Sequence, residues 1–145
     1  MIKTIYFDMD GTFVNFYGVD NWLNMLINED ETPYRIAKPL FRMCDFARRL
    51  NTLKRNGYKI GIITWLAKNS NTEFSERITN AKKEWLKRHL PSVQFDEINI
   101  LEYGVPKSNC ATVNDILFDD EKPNRDNFIG CAYGVENILE TLRTF

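Results

Sequence analysis

Short apolar runs alternate with amphipathic stretches along the chain, and this alternation is typical of repeated βαβ units. The predicted strands cover residues 2–7, 58–63, 95–100, 115–118 and 128–131. The predicted helices cover residues 19–28, 39–56, 72–89 and 137–142, with a loop over 28–38 and a loop or helical turn over 105–113. Right-handed crossovers between such strands predict a Rossmann-like three-layer α/β sandwich with a parallel sheet of about five strands.

Length and charge limit the classes of function. The chain has 145 residues and no repeat or Gly/Ser-rich linker, so we expect a single domain over residues 1–145. The formal net charge is -1, which gives no basic excess for binding nucleic acid or an anionic membrane surface. A small phosphorylated substrate would therefore depend on local charges and a metal.

Cysteine usage and hydropathy indicate the compartment. Cys44, Cys110 and Cys131 form no CxxC pair, which favours reduced thiols over a disulfide or zinc framework. The first residues contain an acidic cluster where a signal peptide needs an apolar segment. No apolar run approaches the ~18 residues of a membrane-spanning helix. We therefore expect a soluble, cytoplasmic protein without a membrane partner.

Polar side chains that directly follow a predicted strand are the first candidates for a functional site. Ligands of open parallel sheets bind beyond the carboxyl ends of the strands, near the point where the strand order reverses. This rule selects Asp8, Asp10, Thr64, Asp119 and Asp120.

The acidic pair after the first strand indicates a cation site. Asp8 and Asp10 share a face of an extended backbone, and two ionised carboxylates there need a cation or a shared proton. Mg²⁺ prefers such oxygen ligands. Gly11 permits a tight turn, and Thr12 offers a hydroxyl and an N–H group. The alternatives are an ordinary acidic turn and a calcium loop, although the glycine comes too early for an EF-hand.

Four segments together resemble the haloacid dehalogenase (HAD) superfamily of phosphatases and phosphotransferases. They are DMDGT at residues 8–12, Thr64 in IGIITW, Lys107 in GVPKSN, and Asp119-Asp120 in DILFDDEKPN. The order and context of these segments match the four motifs of that superfamily across almost the whole chain. The phrases DMDG and NDILFDDEKPN are most similar to the 5′(3′)-deoxyribonucleotidase group.

The resemblance implies a role for each motif. Asp8 would attack phosphorus and form an aspartyl-phosphate, while Asp10 would act as general acid and base. Mg²⁺ would be bound by Asp8, the backbone carbonyl of Asp10 and the acidic pair, with Asp120 favoured as the direct ligand and Asp119 as its partner. The phosphate contacts would come from Asp8, Gly11, Thr12, Thr64, Trp65 and Lys107.

An aromatic-rich stretch over residues 14–38 follows the first motif. It is either a reduced helical cap over the site or a small helix that packs on the core. Such a small cap would leave the site open to a bulky substrate or to closure by a second subunit, hence a homo-oligomer. His89 is expected at the surface, which removes histidine-based catalysis.

The sequence leaves several functions open. The first is Mg²⁺-dependent hydrolysis of a phosphomonoester, for instance a nucleotide. The second is phosphoryl transfer, or removal of a 3′-end phosphate from nucleic acid. A basic cluster on the helix over 72–89 would serve nucleic-acid binding, although a solvated helix face is the simpler interpretation; it consists of Arg77, Lys82, Lys83, Lys87 and Arg88. The third is a non-catalytic binding module, against which the complete motif set argues.

Overall fold

A computed structural model describes residues 2–145 and shows alternating strands and helices. The strands are β1 (Thr4–Phe7), β2 (Lys59–Trp65), β3 (Glu97–Leu101), β4 (Ile116–Phe118) and β5 (Cys131–Tyr133). The helices are α1 (Trp22–Ile27), α2 (Thr32–Ile36), α3 (Met43–Arg55), α4 (Thr72–His89), α5 (Lys122–Asp126) and α6 (Ile138–Leu142). Short 3₁₀ turns cover Phe16–Gly18 and Lys107–Cys110.

The strands form one parallel sheet in the order β3-β2-β1-β4-β5, which confirms the predicted α/β class. Ile5 of β1 pairs with Ile60 on one side and with Ile116 on the other. The chain therefore builds the sheet outward from β1 in one direction and then in the other. The order reverses between β1 and β4, where ligands of such sheets bind.

The two faces of the sheet are covered unequally. On one face, Phe7 and Ile62 belong to a large apolar core together with residues of α3, α4 and α6, among them Phe46, Trp85 and Leu142. On the opposite face the buried cluster is small and consists of Tyr6, Ile63, Leu117 and Phe128. A loop with the 3₁₀ turn Lys107–Cys110 connects β3 to β4 where a long crossover helix would otherwise lie. The second helical layer is thus reduced.

Two short helices, α2 and α5, are absent from the elements predicted from the sequence. The predicted loop over 28–38 contains α2, and the amide of its first residue, Thr32, donates to the Asp30 carboxylate at 2.9 Å. Pro33 fits the first turn of α2 because its fixed φ suits a helix start. Helix α5 follows the acidic pair, and it also has a proline, Pro123, in its first turn. The predicted helix over 72–89 is confirmed, and its N-cap Asn71 accepts from the Phe74 amide at 2.8 Å.

Two further expectations concern the state of the cysteines and the presence of a membrane-spanning helix. Cys44, Cys110 and Cys131 are free. Within residues 2–145, no helix combines the length and apolar character needed to cross a membrane.

Candidate active site

The acidic residues predicted at the ends of two strands converge. Asp8, Asp119 and Asp120 each place a carboxylate oxygen so that the three atoms lie within 4.8 Å of one another. The sheet causes this proximity, because β1 and β4 are neighbours and the Asp8 amide continues their pairing by donating to the Phe118 carbonyl at 3.0 Å. The predicted side-by-side position of these strand ends is confirmed.

The turn after β1 brings its backbone close to Asp120. The Met9 carbonyl accepts from the Thr12 amide at 3.1 Å. Gly11 adopts a φ of +83°, and a Cβ atom there would overlap the Asp120 carboxylate. The amides of Gly11 and Thr12 both donate within the turn. Thr12 therefore reaches the acidic cluster through its hydroxyl, which lies 3.4 Å from Oδ2 of Asp8.

Lys107 lies between two carboxylates of this cluster. Its Nζ atom is 3.0 Å from Oδ1 of Asp8 and 2.6 Å from Oδ2 of Asp119, and the side chain is buried. The ring centroid of Trp65 lies 5.2 Å from the same ammonium. Burial alone would lower the pKa of Lys107, but the charges of Asp8 and Asp119 outweigh it and raise that pKa above its ordinary value. Lys107 is therefore a fixed cation beside Asp8.

The two residues of the acidic pair have different surroundings. Asp119 is fully buried and accepts from the Glu121 amide at 2.9 Å and from the Asn124 side chain at 3.2 Å, in addition to Lys107. Asp120 is only partly buried. Burial, followed by the charge of Asp8, raises the pKa of Asp120 to about 8. The negative charge of Asp119 is thus balanced by hydrogen-bond donors and by Lys107, whereas the negative charge of Asp120 has little compensation.

The chemistry of the cluster fits a hard divalent cation. Its donors are the carboxylate oxygens of Asp8, Asp119 and Asp120, the ligand type that Mg²⁺ prefers. Asp8 and Asp120 repel each other when both are ionised, and a bound cation would remove that repulsion. Asp8 and Asp120 are the two side chains best able to bind it, because Lys107 and Asn124 already occupy the Asp119 carboxylate.

Lys82 of α4 is a further buried cation at the site. Its side chain is 1% exposed, and its Nζ atom lies 2.9 Å from Oδ2 of Asp10, 2.6 Å from the Thr64 hydroxyl and 2.9 Å from the Trp65 carbonyl. Burial raises the pKa of Asp10, and the Lys82 ammonium limits that rise. Thr64 has no exposed surface, so its hydroxyl faces Lys82 and is covered by protein.

Lys82 is buried, so the interpretation of the basic cluster as a solvated helix face is wrong for this residue. The residue lies on the buried stripe of α4, four positions after Ile78 and four before Leu86. This helical spacing is the signal that identifies it, because a charged residue within an apolar stripe must have a buried partner.

The other residues of the predicted basic cluster differ in their surroundings, and two of them bind backbone carbonyls. Arg77 donates to the Glu29 carbonyl at 2.8 Å, and Arg88 donates to the Arg35 carbonyl at 2.9 Å. Lys83, Lys87 and Arg88 keep the exposed positions expected of a solvated face, whereas Arg77 is half-buried.

His89 is half-buried against Trp85, with ring centroids 4.2 Å apart, and the expected surface position is only partly confirmed. Burial lowers the pKa of His89. The residue is not among those that line the cavity at the acidic cluster.

A cavity of about 330 Å³ opens over the acidic cluster. Asp8, Asp10 and Asp120 lie in its wall. Most of the remaining wall is aromatic or aliphatic and includes Phe16, Tyr17, Trp22, Leu23, Leu26, Tyr34, Trp65 and Tyr103. The cations that line it are Lys68 and Lys107. The cavity therefore has charged residues at its bottom and mostly apolar residues around its entrance.

Trp65 connects the two parts of the cavity. Its indole N–H donates to the Val105 carbonyl at 2.8 Å, and its ring centroid is 5.0 Å from that of Tyr103. The Val105 contact fixes the loop that leads into Lys107. The predicted site residue is thus at the cavity wall, and its backbone carbonyl is bound to Lys82.

Residues 14–38, here called the cap segment, supply one side of the cavity. Both interpretations of this stretch apply to part of it: Phe16 and Tyr34 belong to the main core, whereas Tyr17 and Leu23 are exposed at the entrance. Arg77 of α4 anchors the segment through Glu31, whose Oε1 lies 3.2 Å from the guanidinium Nε. The Trp85 indole donates to the Ala37 carbonyl at 2.7 Å.

The fold is similar to that of the D,D-heptose 1,7-bisphosphate phosphatase from Burkholderia thailandensis. The TM-score is 0.51 at 13% sequence identity, over 86% of this chain and 70% of that phosphatase. The two proteins share a fold. No protein-family model and no curated protein sequence matches the chain.

Proposed function

We propose that this chain is a Mg²⁺-dependent phosphomonoesterase of the HAD type that forms an aspartyl-phosphate on Asp8. The observation that carries the proposal is the meeting of Asp8, Lys107 and Asp120 at the base of one cavity, between the ends of β1 and β4. The fold shared with a phosphatase supports the reaction class.

Asp8 and Asp10 would divide the reaction into two displacements. An Asp8 oxygen attacks phosphorus as the bond to the leaving oxygen breaks, and Asp10 gives that oxygen a proton. Water then attacks the phosphorus of the aspartyl-phosphate and gives a proton to Asp10, which releases inorganic phosphate and restores the Asp8 carboxylate. Asp10 can serve both proton transfers because it follows Asp8 by two residues and lines the same cavity.

Charge at the base of the cavity would bind the phosphoryl group. Lys107 supplies a positive charge beside Asp8, and the Thr12 hydroxyl is the nearby neutral donor. Mg²⁺ bound by Asp8, the Asp10 carbonyl and Asp120 would neutralise phosphate charge that otherwise repels the attacking carboxylate.

The cavity wall favours a flat, apolar leaving group with a single phosphate. Tyr17, Trp22 and Tyr103 offer ring surfaces for a planar group. Lys107 is already paired with two aspartates, which leaves Lys68 as the other lining cation, too little positive charge for a second phosphate. A nucleoside monophosphate is the substrate class that best combines these properties.

The test is phosphate release from p-nitrophenyl phosphate and from a panel of nucleoside monophosphates, sugar phosphates and bisphosphates, with Mg²⁺ and with a chelator. We expect turnover only with Mg²⁺, and the highest kcat/KM for nucleoside monophosphates. Asp8→Asn should abolish turnover, because the amide is a poor nucleophile.

Asp20→Asn is the matched control, because Asp20 is an exposed aspartate outside the cluster. It should retain wild-type turnover. Turnover by Asp8→Asn equal to that of Asp20→Asn would eliminate the covalent mechanism. Absence of turnover over the whole panel would favour a binding module with this fold.

A further inference from the structure

We infer that Lys82 is a positioning residue for Asp10 and that Thr64 acts in this chain mainly by fixing Lys82. The inference rests on the proposed function, because Asp10 matters as a proton donor only if a phosphate ester is cleaved. It adds a residue of α4 to the motif residues, whose charged members follow β1 and β4 or lie in the 3₁₀ turn Lys107–Cys110.

The donors of Lys82 are all used, which makes its position well defined. A protonated amine has three N–H donors, and Lys82 has three acceptors within 2.9 Å: the Asp10 carboxylate, the Thr64 hydroxyl and the Trp65 carbonyl. The Tyr34 ring closes the site, with its centroid 5.1 Å from the ammonium. A cation this buried and saturated has no donor left for a phosphate oxygen.

The contact is made to one oxygen of Asp10 only. Lys82 binds Oδ2, and the Asp10 side chain keeps 15% exposure on the cavity side. Oδ1 makes no contact with the ammonium and belongs to a side chain that lines the cavity, so it is the oxygen left to deliver a proton to a leaving group. Without the ammonium, the Asp10 carboxylate would be free to rotate within the turn, and proton delivery depends on hydrogen-bond reach.

Thr64 and Trp65 belong to β2, whereas Lys82 belongs to α4. The covered hydroxyl of Thr64 therefore links the strand to the helix through the lysine, with no open path to a phosphate. This geometry accounts for a polar residue at the end of a buried strand.

Two probes with different leaving groups separate this role from a general loss of structure. Benzyl phosphate has a poor leaving group that needs protonation, whereas p-nitrophenyl phosphate has a good one that does not. We expect Lys82→Met to lower kcat/KM for benzyl phosphate about 10²-fold and for p-nitrophenyl phosphate less than about tenfold. Lys83→Met is the matched control, an adjacent exposed lysine of the same helix, and should match wild type with both probes.

The role through Asp10 predicts non-additivity. In an Asp10→Asn background, Lys82→Met should cause little further loss with benzyl phosphate, because the group that it positions is already gone. Thr64→Val should reduce turnover in the same leaving-group-dependent manner, by a smaller factor.

Several outcomes would overturn the inference. Equal losses with the two probes would show a structural or phosphate-binding role, and full additivity with Asp10→Asn would show independence from Asp10. If Lys82→Met does not fold, Thr64→Val carries the leaving-group comparison in its place, because it removes one of the three acceptors that fix the Lys82 ammonium. A wild-type protein inactive on both probes with Mg²⁺ would overturn the proposed function itself, and this inference with it.

Discussion

The Asp120 carboxylate occupies the space that a side chain at Gly11 would need. Gly11 also has a φ of +83°, so Gly11→Ala meets both backbone strain and a steric clash with a proposed Mg²⁺ ligand. We expect this variant to lose Mg²⁺-dependent turnover by at least about 10²-fold, because the acidic cluster must rearrange.

The control for backbone strain is Gly57→Ala. Gly57 has a φ of +98°, and a Cβ atom there would meet nothing within 4 Å. This variant should lower the free energy of unfolding by about 1 kcal/mol with unchanged kcat/KM. Comparable kcat/KM in the two variants would contradict the importance of the Gly11–Asp120 contact.

Lys107 compensates two buried carboxylates at once. Lys107→Met would leave Asp8 and Asp119 without their cation, and we expect a loss of about 3–5 kcal/mol in the free energy of unfolding. Turnover should fall about 10²–10³-fold. Urea unfolding and steady-state kinetics measure the two effects.

The control is Lys122→Met, which removes an exposed pair with Asp126 and should change stability by less than about 1 kcal/mol. Adding Asp119→Asn to Lys107→Met removes one of the unpaired charges and should restore part of the stability. No recovery in the double variant would contradict the account of Lys107 as a compensating charge.

The sheet and the acidic cluster could be predicted because local pattern determines them. Apolar runs identify buried parallel strands, and the carboxyl ends of such strands share one edge, so Asp8 and Asp120 were expected to meet. The long helix α4 was predicted with its bounds, since its apolar residues follow a helical period and Pro91 follows its last turn.

Lys82 was missed because its role depends on tertiary contacts. The helical spacing from Ile78 to Leu86 indicates that Lys82 is buried, but it does not name the partners. Only the packing of α4 against the ends of β1 and β2 gives Lys82 its contacts with Asp10 and Thr64. Helix α2 was missed although its signals are local, because the Asp30 carboxylate accepts from the Thr32 amide two residues away and Pro33 lies in the first turn.

Arg77 connects α4 to the cap segment and should affect substrate binding more than chemistry. Arg77→Gln removes the contacts with Glu31 and the Glu29 carbonyl, which loosens the segment that carries Tyr17 and Trp22. We expect KM for aromatic phosphates to rise about two- to fivefold at nearly constant kcat, in line with a partly exposed ion pair.

Arg48→Gln is the matched control, because Arg48 pairs with Asp45 on the exposed side of α3. It should leave both kinetic constants unchanged. A fall in kcat without a change in KM for Arg77→Gln would show that the cap segment acts on the chemical step instead.

The uncompensated Asp120 carboxylate predicts an inverse relation between stability and pH in metal-free protein. Burial and the charge of Asp8 raise the pKa of Asp120 to about 8, well above its value in an unfolded chain. The folded state therefore binds this proton more tightly, and the free energy of unfolding falls as pH rises from the ordinary carboxyl range to about 8. Burial also raises the pKa values of Asp10 and Asp119, which adds to the same trend, whereas the lowered pKa of His89 opposes it below the ordinary histidine value and its contribution is removed by a parallel measurement on His89→Gln.

Thermal unfolding with a chelator, between about pH 5 and about pH 8, measures this dependence. Asp120→Asn should flatten it and raise the metal-free Tm at the alkaline end by a few degrees, although it removes Mg²⁺-dependent turnover. Added Mg²⁺ should raise the wild-type Tm more at high pH than at low pH, because the cation competes with the proton for Asp120. A metal-free Tm that increases with pH would contradict the strained acidic cluster on which the proposed cation site depends.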